Sequence, residues 1–264
     1  MSNGYKKYLK NLKRNKIVIL LSQIILLVIF ISLWQILADN KIIDTFIFSS
    51  PKEICALLGV YLKTGELYKH ILTSSYEVLL GLIIGTGCGI IIALILYEIT
   101  PLAKIFDPFL VVLNALPKTA LAPIFIIWIG ANIKGIVFTA ISISLIMTIM
   151  TAYKAFKNVS QEKIKLFKTF NAKKYQILFH LILPATIDDI LNIIKLNIGM
   201  SWIGVIVGEF IVSKEGIGYL ITYGTQVFKL DLVMMGILVL ALISLLMYGL
   251  LNLLLLIYKK KRGW

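Results

Sequence analysis

The sequence predicts an all-α, polytopic membrane protein with six transmembrane helices. Two observations predict it. The chain has 264 residues, 59% of them hydrophobic, with a mean hydropathy of +0.92. A water-soluble domain cannot hide that much apolar surface, so the bilayer is its solvent. The apolar residues also cluster in runs of roughly 20, the length that crosses a hydrocarbon core.

The first span is Ile17–Leu37, without a charge. Lys6, Lys7, Lys10, Lys13, Arg14 and Lys16 precede it. That head is like a signal-peptide n-region. The apolar run is too long for an h-region and no A-x-A site follows, so it reads as an uncleaved anchor. Next, Ser50-Pro51-Lys52-Glu53 reads as a capping box: N-cap serine, N1 proline, N3 acid. Ile54, Leu57, Leu58, Tyr61 and Leu62 then share one helical face. A short surface helix is expected in 49–72, packed to close that face of the bundle.

Further spans follow at Val78–Tyr97, Phe106–Ile129, Gly135–Tyr153, Ile190–Val212 and Leu232–Tyr258. Pro117, Lys118 and Pro123 interrupt the third. With the N-terminus inside, the inner side carries 18 Lys and Arg and the outer side 7. Cytoplasmic loops collect basic residues, so both termini are expected in the cytoplasm. The organisation is then a basic cytoplasmic segment (1–16), one transmembrane domain (17–258) and a basic cytoplasmic tail (259–264).

The same rule accounts for the net charge of +14, so no nucleic-acid partner is implied. Cys55 and Cys88 lie in different kinds of segment, and no metal-ligand spacing is present. His70 and His180 are the only histidines, and both lie outside the expected spans. Without H-E-x-x-H or a buried pair of nucleophile and base, a membrane enzyme is disfavoured.

The long basic loop at 154–189 stands apart. Ile164, Phe167 and Phe170 repeat near every third residue, with lysines between them. Tyr175, Leu178, Phe179 and Ile182 follow the i, i+3, i+4, i+7 pattern. Asn171, which tolerates a left-handed turn, separates these two short helices, and Pro184 is expected to stop the second. On periodicity alone the loop suits an anionic membrane surface as well as a protein partner.

Three further features have both a packing and a functional reading. Gly81, Gly85 and Gly89 form overlapping G-x-x-x-G steps, read as helix packing. Pro117 and Pro123 are expected to break the third span, and non-helical backbone should face protein or a cavity. Asn114, Pro117, Lys118, Thr119 and Pro123 are therefore candidates for lining a translocation pathway. Ser201, Trp202 and Glu209 in the fifth span are candidates too, because an acid at membrane depth is costly. The other reading of Glu209 is a carboxylate held by the 216–218 loop.

The loop resembles the permease signature of ATP-binding-cassette (ABC) importers, E-A-A-x3-G-x9-I-x-L-P. Aligned on Pro184, Leu183 falls on its Leu, Leu181 on its Ile and Asn171 on its Gly, while Ala172 matches a Gly-Ala variant. Lys165-Leu166-Phe167 stands where Glu-Ala-Ala would be. A-L-P-K-T-A-L-A-P-I-F-I-I-W-I-G, residues 115–130, is similar to the third span of the nitrate/sulfonate/taurine-type permeases. The matching positions are Pro117, Ala120, Pro123, Trp128 and Gly130. S-S-P-K-E-I from Ser49 resembles that branch's outer-helix start. Residues 208–221 resemble its fifth-span exit, with Glu209, Gly216 and Gly218. That branch usually has Arg where Glu77 stands, a departure that weighs against a simple anion as solute.

The resemblance implies the type I ABC importer permease fold, with a cytoplasmic coupling helix in the loop. Phe170, Asn171, Ala172, Tyr175, Leu178, Phe179, Leu183 and Pro184 would meet a cytoplasmic ATPase dimer. ATP and Mg would belong to that dimer; no cofactor is expected on this chain, which lacks G-x-x-x-x-G-K-[ST]. The other implied partners are a second permease subunit, identical or different, and an extracellular solute-binding protein. The implied setting is the plasma membrane of a prokaryote. The implied solute is a sulfonate- or nitrate-like anion, or a vitamin precursor such as a pyrimidine. The alternative is an ATPase-independent secondary transporter or channel. It predicts charge pairs deep in the spans or internal repeats, and neither is evident.

Overall fold

The computed structural model describes residues 3–261, without the side chains of 3–13, 16 and 258–261. The expectations for the rest of the basic head and tail, Arg262 included, lie outside the described residues. Among the described residues all regular structure is helical. In chain order the helices are α1 (Asn3–Asp39), α2 (Thr45–Phe48), α3 (Pro51–Thr64), α4 (Glu66–Glu98) and α5 (Thr100–Ala115). Then come α6 (Ala122–Ile129), α7 (Ile133–Lys157), α8 (Gln161–Thr169), α9 (Lys174–Ile177) and α10 (Leu183–Ala185). The last are α11 (Ile187–Val212), α12 (Ile217–Gln226) and α13 (Leu230–Lys261). Within these, Ile17–Asp39, α4, α7, α11 and α13 are long and apolar enough to cross a membrane. A bent pair, α5 with 118–129, makes the sixth candidate crossing, its halves at 86°.

The centre is α4, α7 and α11. Small residues set their register. A Cβ on Gly81 would lie 2.7 Å from the Ala140 Cβ, and one on Gly89 2.6 Å from Thr148. Gly85 is pressed in the same way against Ser144 Oγ. Partner numbers rise together, so α4 and α7 run parallel. Gly204 and Gly208 bring α11 onto the same α7 face, at Ala140 and Ile136. The helix backbones approach this closely because these residues have little or no side chain. By contrast α1 is exposed along almost its whole apolar length, and among the described side chains it joins the bundle through its last turns. There Ala38 is buried, Trp34 packs on the core and Gln35 Oε1 accepts from Lys52 N at 3.0 Å.

The surface helix is α3. Pro51 opens it, Ser50 Oγ accepts from Glu53 N at 3.2 Å, and Gly65 (φ +79) closes it. Ile54 is buried, and Leu57, Leu58 and Tyr61 pack on the core, while Leu62 stays exposed. The second span differs from its expected limits. It is continuous from Glu66, not Val78. Its first turns keep their charges at the surface, where Lys69 Nζ pairs with Glu215 at 2.6 Å.

The third span also needs correcting. The break falls at Leu116 and Pro117, followed by a 3-10 turn at Lys118–Leu121. Pro123 does not break anything: it lies in the first turn of α6, where a missing N–H costs nothing. The proline inside a helix is Pro108, in α5.

Enlarging a glycine of the α4–α7 contact should separate the two helices. Gly85→Leu is expected to cost roughly 1–3 kcal/mol, as overpacking does. Thermal unfolding of the purified protein reads this out. Gly87→Ala serves as the control, because nothing lies within 4 Å of its missing Cβ, and it should leave the transition in place.

Candidate functional site

The basic loop folds into a knuckle. α8 ends in a Schellman motif: Asn171 N donates to Lys168 O at 2.9 Å, and Ala172 N to Phe167 O at 3.2 Å. Asn171 takes the left-handed conformation this requires, with φ +54. The chain reverses, and the Gln176 side chain caps α9 by accepting from Lys173 N at 2.8 Å. Pro184 does not end the helical path as expected. The five residues Leu178–Ile182 widen into a π-helical turn, in which Leu183 N donates to Leu178 O. A proline ring inside a regular α-helix meets the carbonyl four residues back. The widened turn ahead of Pro184 relieves that clash, and the chain stays helical through α10.

The knuckle has a buried root and an exposed crest. Ile164, Ile177 and Ile182 pack with Ala93 of α4, Ala152 and Phe156 of α7, and Ile193 of α11. The crest carries Phe170, Phe179 and Tyr175, exposed by 77%, 61% and 56%. Asn171 is exposed beside them. Ala172, Leu178 and Leu183 belong to the root, packed against the buried cluster, and Pro184 is half-buried. The candidate coupling residues therefore divide. The apolar stripe Tyr175–Leu178–Phe179–Ile182 is not one docking face, because Leu178 and Ile182 turn inward and only Tyr175 and Phe179 turn out.

The pathway candidates divide as well. At the bend, Asn114, Pro117, Thr119 and Pro123 are exposed. Lys118 Nζ donates to both Asn114 O and Asn114 Oδ1 at 3.2 Å, which stitches the end of α5 to the turn. Lys118 also lines an apolar cavity of ≈ 550 Å³ with Leu96, Phe106, Leu110, Phe125 and Leu145. Ser201, Trp202 and Glu209 are not part of that cavity's lining and are buried in the helical core. Trp202 packs in the main apolar cluster and Ser201 is fully covered.

Glu209 is a fastener. It accepts from Ser74 Oγ at 2.6 Å and from Gly218 N at 2.5 Å. Ser74 Oγ in turn accepts from Ile217 N at 2.8 Å, which ties α4, α11 and the start of α12 together. Gly216 adopts φ +111, and a Cβ on it or on Gly218 would run into the Glu209 carboxylate. Next to this knot His70 Nδ1 accepts from Gly216 N at 3.0 Å and its ring stacks on Tyr219. Sequence reasoning missed Ser74, since a single serine in a helix gives no signal by itself.

It also missed Asn197. The Asn197 side-chain amide donates to Thr86 Oγ1 at 2.8 Å and Thr148 Oγ1 at 2.6 Å, joining α11 to α4 and α7 in mid-bundle. An amide well inside an apolar run was a signal that could have found it.

Several long apolar helices, one of them bent, around a small-residue seam, with an anchored knuckle at one end, define a polytopic helical membrane component. Residues 85–260 match the family described as "Binding-protein-dependent transport system inner membrane component", and the chain belongs to that family. The relatives bear the names of ABC transporter or transport-system permease proteins. A Haemophilus influenzae protein that bears the name of an ABC transporter permease is 28% identical over 229 residues, 87% of this chain and 93% of its own. A Bacillus subtilis protein named for aliphatic sulfonates transport is 27% identical over 217 residues, 82% of this chain and 78% of its own. Among solved structures, a chain of the inward-facing MetNI methionine ABC transporter shares the fold with a TM-score of 0.52. It is 13% identical and aligns with 73% of this chain and 97% of its own.

Removing the mid-bundle amide should weaken the three-helix contact without unfolding it. Asn197→Ala is expected to cost about 1 kcal/mol, the usual scale for hydrogen bonds between membrane helices. The unfolding midpoint in detergent should fall accordingly. Asn197→Gln, which keeps an amide but lengthens the side chain, should recover only part of the loss.

Proposed function

We propose that this chain forms the transmembrane half of an ATP-driven importer and that the knuckle at 161–186 couples it to a separate cytoplasmic ATPase. One observation carries the reading: the exposed aromatic crest stands on a root that touches all three central helices. Exposed Phe170, Tyr175 and Phe179 would cost free energy in water and gain it in a partner's groove. A partner gripping the crest moves the root, and the root moves α4, α7 and α11 as a unit. The ATP and Mg that drive the motion sit on the ATPase dimer. The basic residues of 154–174 support a cytoplasmic knuckle, with both termini on the same side.

In this reading the exposed bend at Asn114–Pro123 faces the second permease subunit and the solute path between the two. A solute-binding protein delivers its cargo at the opposite end. The cargo is a small solute, either a sulfonate- or nitrate-like anion or a vitamin precursor such as a pyrimidine. Family membership supports the ATP-driven importer over a transporter that works alone.

The crest and the root make different predictions. Phe170→Asp and Phe179→Asp should abolish capture of the ATPase and ATP-driven uptake in reconstituted vesicles. Their unfolding midpoints should stay within about 0.5 kcal/mol of the parent, as for most surface changes. Leu178→Glu should instead destabilise by about 2 kcal/mol or more, because it drives a charge into the root. Full ATP-driven uptake by Phe179→Asp would sink the docking assignment.

A further inference from the structure

Where α4, α11 and α12 meet, two carboxyl groups are buried against each other. Glu77 and Glu209 are each 1% exposed. Their carboxyls lie in direct contact. Their surroundings differ sharply. Glu209 accepts from Ser74 Oγ, Gly218 N and Tyr219 N. Neither oxygen of Glu77 has a hydrogen-bond donor from any described residue.

Among the described residues, the elements packed around the pair bring no cation. On α7 the register that sets Gly81 on Ala140 and Gly208 on Ile136 places apolar Ile136 at this level. α12 contributes backbone N–H groups only. On α4, Tyr76 is exposed, and the next titratable group towards the surface is His70, whose Nδ1 is occupied by Gly216 N and whose ring lies on Tyr219. Lys69 is paired with Glu215 at the exposed rim. Among the described residues, Glu209 is the charged side chain that meets Glu77.

Two carboxylates cannot both stay ionised in such a place. An unpaired buried charge is costly, and a second like charge in contact with it costs more. The donors decide which member is ionised. With three donors aimed at it, Glu209 is the carboxylate. With none, Glu77 needs a hydrogen of its own. We propose that this contact is a proton-binding site: Glu77 is a neutral carboxylic acid that donates its O–H to the Glu209 carboxylate. The balance is one proton taken from solvent as α4 closes on α11, and one negative charge left on Glu209. No covalent bond other than that O–H forms or breaks.

The placement gives the proton a role. Ser74 and Glu209 fasten α4, α11 and the start of α12 at this end of the bundle. Any motion that parts α4 from α11 there wets both carboxyls and lets the proton go. Opening of this end is thus proton-linked, whatever drives it at the knuckle. The site stands independently of the coupling assignment.

Infrared spectroscopy of the full-length protein in lipid bilayers tests this directly. The wild type at neutral pH should show the C=O band of a protonated carboxylic acid, shifted in deuterated buffer. Glu77→Gln should lose that band and keep the parent unfolding temperature, because the amide N–H replaces the acid O–H towards Glu209. Glu209→Gln should lower the unfolding temperature, since it removes the anion that Ser74, Gly218 and Tyr219 address. Absence of the band from the wild type, or its survival in Glu77→Gln, overturns the proposal. So does a rise in the wild-type unfolding temperature with NaCl, KCl or MgCl2 that Glu77→Gln abolishes, which assigns the place to a metal cation. Should Glu77→Gln fail to fold, the proposal still stands or falls on the wild-type band and its deuterium shift.

Discussion

Helices in a bilayer gain little by exchanging lipid for each other's apolar side chains, so they hold where their backbones can come close. The seam between α4 and α7 meets that condition at every turn. Gly81, Gly85 and Gly89 sit on Ala140, Ser144 and Thr148, and Gly204 and Gly208 bring α11 onto the same face of α7. The rest of the bundle is laid on this three-helix unit. α13 and α3 complete the main apolar cluster, and the knuckle is rooted in the second. α1, packed on the bundle through its last turns, leaves the apolar surface of 17–33 exposed.

The two ends of the unit are fastened by opposite chemistry. At the knuckle the fastening is apolar: isoleucines from three short segments close around Ala152 and Phe156. Apolar contacts tolerate small rotations, which suits a joint that transmits movement. At the Gly216 end the fastening is directional. One carboxylate collects Ser74 and backbone N–H groups, and two glycines leave room for the backbone to reach it. Such a knot is either made or broken, which suits an end that must shut. Asn197, between the two ends, holds Thr86 and Thr148 and keeps the three helices in register.

Much of the fold was legible because the signals were local. Long apolar runs marked the spans, Ser50 and Pro51 marked the start of α3, and Asn171 marked the left-handed reversal. The errors came where a residue type allows two outcomes. Pro123 opens a helix, although a proline in an apolar run also suits a break. Pro184 is accommodated by a π-helical turn that no residue pattern announces. The charges at Glu66 and Lys69 suggested a span starting later, yet they lie in the surface turns of one continuous helix. In the candidate site, the four-residue spacing brought Tyr175, Leu178, Phe179 and Ile182 together but did not say which of them would be covered.

The sequence by itself determined the class of the protein: a helical membrane component with a basic, structured loop and a small-residue seam. Hydropathy, charge bias and turn chemistry are properties of neighbouring residues, and they survive without any knowledge of the fold. The tertiary structure alone decided which side of the knuckle is free, and that Glu209 fastens α4 and α12 to α11. It alone placed Glu77 against Glu209. These depend on residues 135 positions apart, such as Ser74 and Glu209, arriving at one point. The packing of helices brings them there, and no local pattern encodes it.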